Sequence, residues 1–454
     1  MMKSLWLFPV ALTIACGEVS KETPDAAPDA PPDAPALPVK VRVLNSNGDG
    51  TVDQGAVVIF RDASTAVVKQ GVVNQQGEAE AMVAAGGMVQ TLQVSQTSAT
   101  SRRVVIMSFH DVKPGDLLRG GLARSLPSQA GANSIMTGSF TAQAGYSHSF
   151  WTTCGSVTSA GPTVDVTLRE GCRRNVVEVL AVATSTAATP TQPRFVFTSA
   201  PYANGGAFTV PNTWLPMANF TATLTHVPDE ISAFTLERST QLHRGDAASI
   251  AIQRSASIDP PAGTVVASVP YPQGAGEGSL VTANLTKAGV QFSQRIDVLT
   301  GGVGSSVGID LDELKVPWVA TVTFNAAERS VSWTETTEGT PDIRIAVATF
   351  SYVRDGITYS IVAYDFAAPS ANLSMVVPPL PTEYAEFDPS QQTVAVSGGT
   401  AIVGYADQDN LDGFDAARGY GIAMLSLLST NDVFANDNVR RRSVIALARA
   451  GVAP

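Results

Sequence analysis

Residues 39–60 read VKVRVLNSNGDGTVDQGAVVIF, and this stretch decides the fold class. The first five residues alternate valine with a cation, which is typical of a strand with one buried face and one solvated face. The Asn-Ser-Asn-Gly-Asp-Gly segment at 45–50 is a strong turn signal. The apolar run at 57–60 then predicts a second, buried strand. A strand, a turn and a strand in so short a segment indicate a β-sheet domain.

The same pattern continues through most of the chain. Glycine and proline turn signals recur at a spacing of roughly 8–12 residues, as they do in β-sandwiches. Charged residues make up only 15% of the sequence. Further strands are predicted at 104–107, TVDVTL at 163–168, VVEVLAVAT at 176–184, DIRIAVATF at 342–350 and ITYSIVAYDF at 357–366. The sequence therefore predicts an all-β protein.

Three segments of residues 39–98 resemble the carboxypeptidase-regulatory-like, or transthyretin-like, β-sandwich. They are GAVVIF at 55–60, QQGEAEA at 75–81 and GGMVQTLQV at 86–94. The resemblance implies an accessory module without an active site. The segment PPLPTEY at 378–384 resembles the closing turns of a fibronectin-type sandwich. Together they indicate tandem β-sandwich domains of the immunoglobulin, transthyretin and fibronectin kind.

The N-terminus has the layout of a secretory signal. Lys3 precedes an 11-residue apolar run at 5–15, LWLFPVALTIA, which is too short to span a bilayer. A cysteine, Cys16, follows the small residue Ala15. This arrangement resembles the lipobox of bacterial lipoproteins and implies a signal peptide at 1–15 and acylation, for example with palmitate, at Cys16. The alternative is an ordinary secreted protein that is cleaved nearby.

Residues 16–38 form a predicted linker between that cysteine and the body. Six prolines alternate there with acidic and small residues, so no packed core can form. Proline-rich chains favour extended polyproline II, which makes this a tether of roughly 60–70 Å. The tract looks like those of outer-membrane lipoproteins of Gram-negative bacteria. An unstructured secreted tail is the alternative.

The two remaining cysteines are Cys154 and Cys172. An even pair in an exported protein predicts a disulfide, and the alternative is two free buried thiols. Closing a loop of this size stabilises a fold by about 3 kcal/mol.

Composition shifts divide the body into four predicted segments. They are the module at 39–98, a β-rich domain with the disulfide at 99–185, a β-rich domain at 186–310 and a sandwich-like domain at 311–454. The formal charge of −11 argues against a nucleic-acid partner, which needs a basic face, and none is predicted. No further apolar run reaches about 18 residues, so the lipid is predicted to be the only membrane attachment.

Two segments carry oxygen ligands at spacings that suggest a cation. Asn45, Asn47, Asp49 and Gly50 imitate the start of a calcium loop, but Ala56 stands where the bidentate glutamate is needed, so a hairpin turn is favoured. An acidic loop follows near the C-terminus, and it is interpreted as solvated, with cation binding left open: Asp407, Asp409, Asp412 and Asp415 around Gly413. We therefore predict neither a metal nor a cofactor.

Catalytic patterns are weak. The segment at 304–308, GSSVG, matches the nucleophile elbow around Ser306, but no histidine follows His243, so a glycine-rich turn is predicted instead. A strand with a solvent-exposed acidic face is favoured for Asp310, Asp312 and Glu313. The alternative is a pair of catalytic carboxylates for glycoside hydrolysis. The histidines are predicted to be single surface or core residues: His110, His148, His226 and His243.

One aromatic segment could instead bind sugars. Tyr146, His148, Phe150 and Trp151 lie close together before Cys154, and core packing against the disulfide is favoured over a stacking platform. The resulting prediction is a non-enzymatic protein held by lipid at the cell outer membrane, with a binding or structural role and a protein or glycan partner. The alternatives are a carbohydrate-binding surface lipoprotein and a secreted hydrolase with an unrecognised site.

Overall fold

The structure is a computed structural model. It describes residues 37–45, 51–121, 131–188, 191–227, 231–241, 251–258, 263–273, 278–287, 292–301, 306–312, 316–325, 328–335, 339, 341–369, 372–408, 413–418 and 442–451. The predicted signal peptide, Cys16 and almost all of the linker lie outside these residues.

Within the described residues most of the chain is strand. The first fifteen strands are β1 Val39–Val43, β2 Val57–Arg61, β3 Val67–Val72, β4 Glu78–Ala81, β5 Gly87–Ser98, β6 Ser101–Val112, β7 Leu117–Gly120, β8 Asn133–Ser139, β9 Tyr146–Thr152, β10 Gly155–Ser159, β11 Thr163–Arg169, β12 Val176–Ser185, β13 Arg194–Pro201, β14 Ala207–Thr209 and β15 Leu215–Pro216. The next are β16 Ala218–Val227, β17 Ile231–Gln241, β18 Ala251–Ile258, β19 Gly263–Tyr271, β20 Gly278–Lys287, β21 Phe292–Gly301, β22 Ser306–Asp310, β23 Val319–Asn325, β24 Ser330–Glu335, β25 Ile343–Arg354, β26 Ile357–Ala367, β27 Ser374–Val376, β28 Ser397–Gln408 and β29 Arg442–Gly451.

Helical structure is short. Two 3-10 helices, Thr382–Phe387 and Pro389–Gln391, join β27 to β28, and one α-helix, α1, covers Phe414–Arg418. No helix among the described residues has the length and apolar character needed to cross a bilayer.

The largest sheet has twelve strands in the order β18-β17-β20-β21-β29-β28-β25-β26-β6-β5-β2-β3. Its neighbours are antiparallel except for β26 and β6, which pair in parallel. Four three-stranded sheets and one five-stranded sheet complete the described part: β4-β1-β7, β11-β8-β14, β19-β16-β22, β23-β24-β27 and β10-β9-β12-β13-β15.

The sheets pack in layers around apolar cores. One face of the twelve-stranded sheet packs on the β19-β16-β22 and β23-β24-β27 sheets, with Phe220 and Trp333 among the buried side chains. Its opposite face packs on the β4-β1-β7 sheet around Phe60 and Phe109. The sheets that contain β8 and β9 form a separate core around Phe150. The predicted all-β architecture of packed sheets is confirmed.

The individual strand predictions agree with this arrangement. In β1 the valines are buried and the two cations are exposed, and all five residues of β2 are buried because that strand is covered on both faces.

The predicted domain boundaries fall on strands that share a sheet. β5 lies in the first predicted segment and β6 in the second, and the two pair along most of their length, so the boundary after residue 98 lies in the turn of a hairpin. β26, from the last segment, pairs with β6 in turn. The division of the body into four domains stays a prediction.

Candidate functional site

A buried group of charges lies where β25, β26 and β6 run side by side. Asp365 on β26 has one carboxylate oxygen 2.5 Å from His110 Nε2 and the other 3.1 Å from Arg344 Nη2. The side chains of Arg344 and Asp365 are each 3% exposed, and that of His110 is 33% exposed. One carboxylate therefore holds two cationic groups, one buried and one reaching the surface.

The contacts of Arg344 extend this group across the sheet. Arg344 donates a hydrogen bond to the Asn372 carbonyl, and its guanidinium carbon lies 5.1 Å from the centre of the Trp333 ring. Trp333 Nε1 donates to the Tyr405 hydroxyl at 3.0 Å, and that hydroxyl donates to Glu335. Burial, reinforced by the bond to Glu335, raises the pKa of Tyr405.

His110 is the titratable member of this group near neutral pH. Burial is the largest single influence on its pKa and lowers it, but the charge and the hydrogen bond of Asp365 outweigh burial, so the pKa is raised above the usual value. A histidine held by a carboxylate is a chemical pair suited to proton transfer. Here, however, Arg344 shares the same carboxylate, so the arrangement works as an ion triad that joins three strands.

The acidic loop predicted around Gly413 is only partly described, since Asp409 and Asp412 lie outside the described residues. Asp415 forms an ion pair with Lys113 and lies 3.3 Å from the guanidinium of Arg418. The buried Arg418 also pairs with Asp116 at 2.6 Å and donates to the Asp111 carbonyl. Asp415 therefore joins α1 to the turn between β6 and β7.

One donor set was not foreseen from the sequence. The parallel pairing of β16 with β22 places Thr225 beside Asp310, which brings His226 Nδ1 to 2.7 Å from Asp310 and 3.6 Å from Asp312. The three ligand atoms lie within 4.8 Å of one another. An imidazole and two carboxylates suit a small divalent cation, and in the present geometry His226 and Asp310 are within hydrogen-bond distance of each other at the surface. Glu313 and His243 lie outside the described residues.

The aromatic segment on β9 is divided between two layers. His148 and Phe150 point into one core, where Phe140 lies 4.8 Å from Phe150 between ring centres, while Trp151 packs on the other face of the sheet beside Met217. Burial lowers the pKa of His148. These side chains do not form a coplanar row, so core packing, which was the favoured interpretation, describes them.

The predicted disulfide is present. Cys154 and Cys172 are bonded with their Cα atoms 5.2 Å apart. Cys154 precedes β10 and Cys172 follows β11, so the bond joins the ends of two strands that belong to different sheets of one sandwich.

The remaining sequence motifs have structural places. Ser306 begins β22, where it pairs with Thr221, and Gly308 lies inside the same strand, so the predicted glycine-rich turn at Ser306 was wrong. The error arose because strand pairing with β16 outweighs the turn preference of glycine. In the apparent calcium loop, Leu44 bridges to Val52 and Asn45 N donates to Thr51 O, which closes a hairpin. Asn47, Asp49 and Gly50 lie outside the described residues.

Comparison with known proteins adds little. No protein-family model and no characterised protein matches this sequence. The Bacillus anthracis TIE protein aligns over 61% of this chain and 50% of its own at 11% identity and a TM-score of 0.14, so the alignment spans half of that structure. A streptococcal ancillary pilin aligns over 61% of this chain and 98% of its own at 8% identity and a TM-score of 0.14. The pilus adhesin of Lactobacillus rhamnosus GG aligns over 73% and 43% at 9% identity and a TM-score of 0.13. Likenesses at these scores carry no argument about this chain.

Proposed function

We propose that this chain is a lipid-anchored protein of the bacterial cell envelope whose β body has a non-enzymatic structural or binding role. The observation that carries the proposal is the order of the N-terminal features. An apolar signal ends at Ala15, Cys16 follows it, and a proline-rich acidic tract separates that cysteine from the first strand. Such an order is what a folded body held away from a membrane by a lipid anchor and a tether would need.

The packing of the body supports a structural role. The ionisable groups of the buried triad are engaged with one another, and the aromatic side chains of β9 fill cores on two faces. Both arrangements stabilise the sheets.

Ser306 provides a test of the non-enzymatic part. It lies in a strand rather than on a strand-to-helix turn, and a serine without a base is a poor nucleophile at neutral pH. A fluorophosphonate probe is expected to leave the folded protein unlabelled. Stoichiometric labelling that disappears in Ser306→Ala would contradict the proposal.

The anchor is tested by cell fractionation of Cys16→Ser. The variant is expected to leave the membrane fraction or to accumulate as uncleaved precursor, whereas Ser20→Ala in the linker is expected to behave as the parent chain. Normal processing of Cys16→Ser with full membrane retention would contradict the lipid anchor.

The choice of membrane has its own test. Gly17 follows the cysteine, and by resemblance to enteric sorting rules a residue other than aspartate there directs a lipoprotein to the outer membrane. Gly17→Asp is expected to move the protein to the inner-membrane fraction, while Gly17→Ser is expected to leave it in the outer one. Recovery of the Gly17→Ser variant in the inner-membrane fraction would contradict an outer-membrane location.

A further inference from the structure

Among the residues that the structure describes, the strand β3, VVKQGV, is the last strand at one end of the twelve-stranded sheet and pairs only with β2. Val73 N donates to the Ala56 carbonyl on the β2 side. Since hydrogen-bonding directions alternate along a strand, the backbone N–H and C=O groups of Gln70 and Val72 point away from β2. Val68 and Val72 are 50% and 61% exposed. An apolar edge with outward backbone groups is a template for another strand.

A groove of about 400 Å³ lies between this edge and β4. Val58 and Phe60 are among its lining residues, and so are Glu78 and Glu80 of β4. Gly71 pairs with Val58, so it faces the groove side of the sheet, and a Cβ added there would meet no atom within 4 Å. The groove therefore has room for a further side chain beside Gly71. The carboxylates of Glu78 and Glu80 line the same groove.

We propose that β3 pairs antiparallel with β3 of a second copy of this chain, about a two-fold axis at Gln70. The inference names a partner for the binding role proposed above and rests on that proposal. In this register Val68 of each copy lies opposite Val72 of the other, and Lys69 lies opposite Gly71. Each Lys69 then enters the open space beside Gly71, on the side of the groove that carries Glu78 and Glu80.

Backbone geometry and charge select this register. A shift by one residue would set the outward backbone groups of one copy opposite residues of the other copy whose backbone groups point towards β2, which breaks the ladder. A shift by two residues in one direction would place Lys69 opposite the Lys69 of the second copy, and like charges directly opposite each other are unfavourable. A shift by two in the other direction shortens the paired segment. At the Val67 end, a register irregularity in the pairing with β2 limits further extension.

The lipid anchor explains how so short an interface suffices. Pairing along one edge strand buries less surface than a standard protein interface. Two chains tethered to the same membrane meet at a raised effective concentration, which compensates for weak intrinsic affinity. In the isolated copy, Lys69 Nζ donates a hydrogen bond to the Glu80 carbonyl at 2.7 Å. On pairing, Lys69 gives up this hydrogen bond and lies beside Gly71 of the second copy.

The test uses full-length chains in their native membrane. In the paired register the two Gln70 Cα atoms are about 5.5 Å apart, within reach of a disulfide. Mild oxidation of Gln70→Cys is expected to yield a covalent homodimer. Val353→Cys, 57% exposed on the β25–β26 hairpin, is the matched control and is expected to stay monomeric. Absence of the Gln70→Cys homodimer, or cross-linking to a different protein instead, overturns the inference.

A charge pair at Gly71 tests the register. In the Gln70→Cys background, Gly71→Lys places a cation opposite Lys69 and is expected to lower the homodimer yield about fivefold, while Gly71→Glu is expected to raise it. If replacing the glycine acts only through the structure of β3, the homodimer yield changes in the same direction in Gly71→Lys and Gly71→Glu. That result overturns the register. If Cys16→Ser in the Gln70→Cys background releases the chain from the membrane and the homodimer still forms at high protein concentration, the pairing stands. If the Gln70→Cys chain stays on the membrane and forms no homodimer, the pairing fails and the lipid anchor stands.

Discussion

Asp365 supplies the carboxylate that pairs with the buried guanidinium of Arg344. Its replacement by asparagine removes the carboxylate but leaves the Arg344 guanidinium buried. Breaking a buried pair in this way costs about 3–5 kcal/mol of the free energy of unfolding. We expect Asp365→Asn to lower the urea midpoint accordingly. Asp355→Asn is the control, because Asp355 is 87% exposed at a hairpin tip beside Arg354 and its loss is expected to leave the midpoint nearly unchanged. Equal midpoints for the two variants would contradict the role given to the triad.

His110 adds a pH dependence at the same site. Asp365 raises its pKa in the folded state above the unfolded value of about 6.5. The folded state therefore binds the proton more tightly, so this contribution to stability is fully present below about pH 6.5 and is lost as pH rises through the folded pKa. We expect the stability difference between the parent and His110→Gln to be larger at pH 5.5 than at pH 8.5. A difference that grows with pH would contradict this sign.

The residue-scale groupings were beyond the reach of the sequence. Arg344 and Asp365 lie on the two strands of one hairpin, but His110 is 255 residues from Asp365 in the chain. A single sequence carries no signal that β6 pairs in parallel with β26. His226 and Asp310 are likewise 84 residues apart. The Cys154–Cys172 bond was predictable because cysteine count and compartment restrict the possible partners.

At the scale of elements, Gly138 decides how closely β14 can approach β8. A Cβ at this position would lie 2.4 Å from the Phe208 ring, and Phe208 is buried in the core of that sandwich. We expect Gly138→Ala to destabilise the protein by about 1–3 kcal/mol, because the ring must move out of a packed core. Gly308→Ala in β22 is the matched control, since a Cβ there meets no atom within 4 Å. Similar thermal midpoints for the two variants would show that the close approach does not matter.

Most strands were predictable, whereas several of their pairings were not. The alternating valines of β1 and the apolar run of β2 match the burial of these strands in the structure. The spacing and composition of apolar residues therefore suffice to predict both strands. Ser306 was assigned to a turn because glycines surround it, yet pairing with β16 makes the segment a strand. Parallel pairs such as β1 with β7 join segments without a hairpin between them, and local sequence does not specify them.

The chain combines two parts of different character. The first is an N-terminal lipid anchor and tether, proposed from the order of residues 1–38. The second is an all-β body whose sheets share large apolar cores and in which the buried Arg344 and Asp365 form an ion pair. Edge pairing through β3 would link such bodies side by side on one membrane. All of these proposals about location depend on the modification of Cys16.

Acylation of Cys16 is tested by mass spectrometry of the mature N-terminal peptide, purified from the membrane fraction of the native host. The peptide is expected to begin at Cys16 and to carry the added mass of a diacylglyceryl group and an amide-linked acyl chain. An unmodified N-terminus at any other residue, or an unmodified Cys16 in the mature chain, would contradict it.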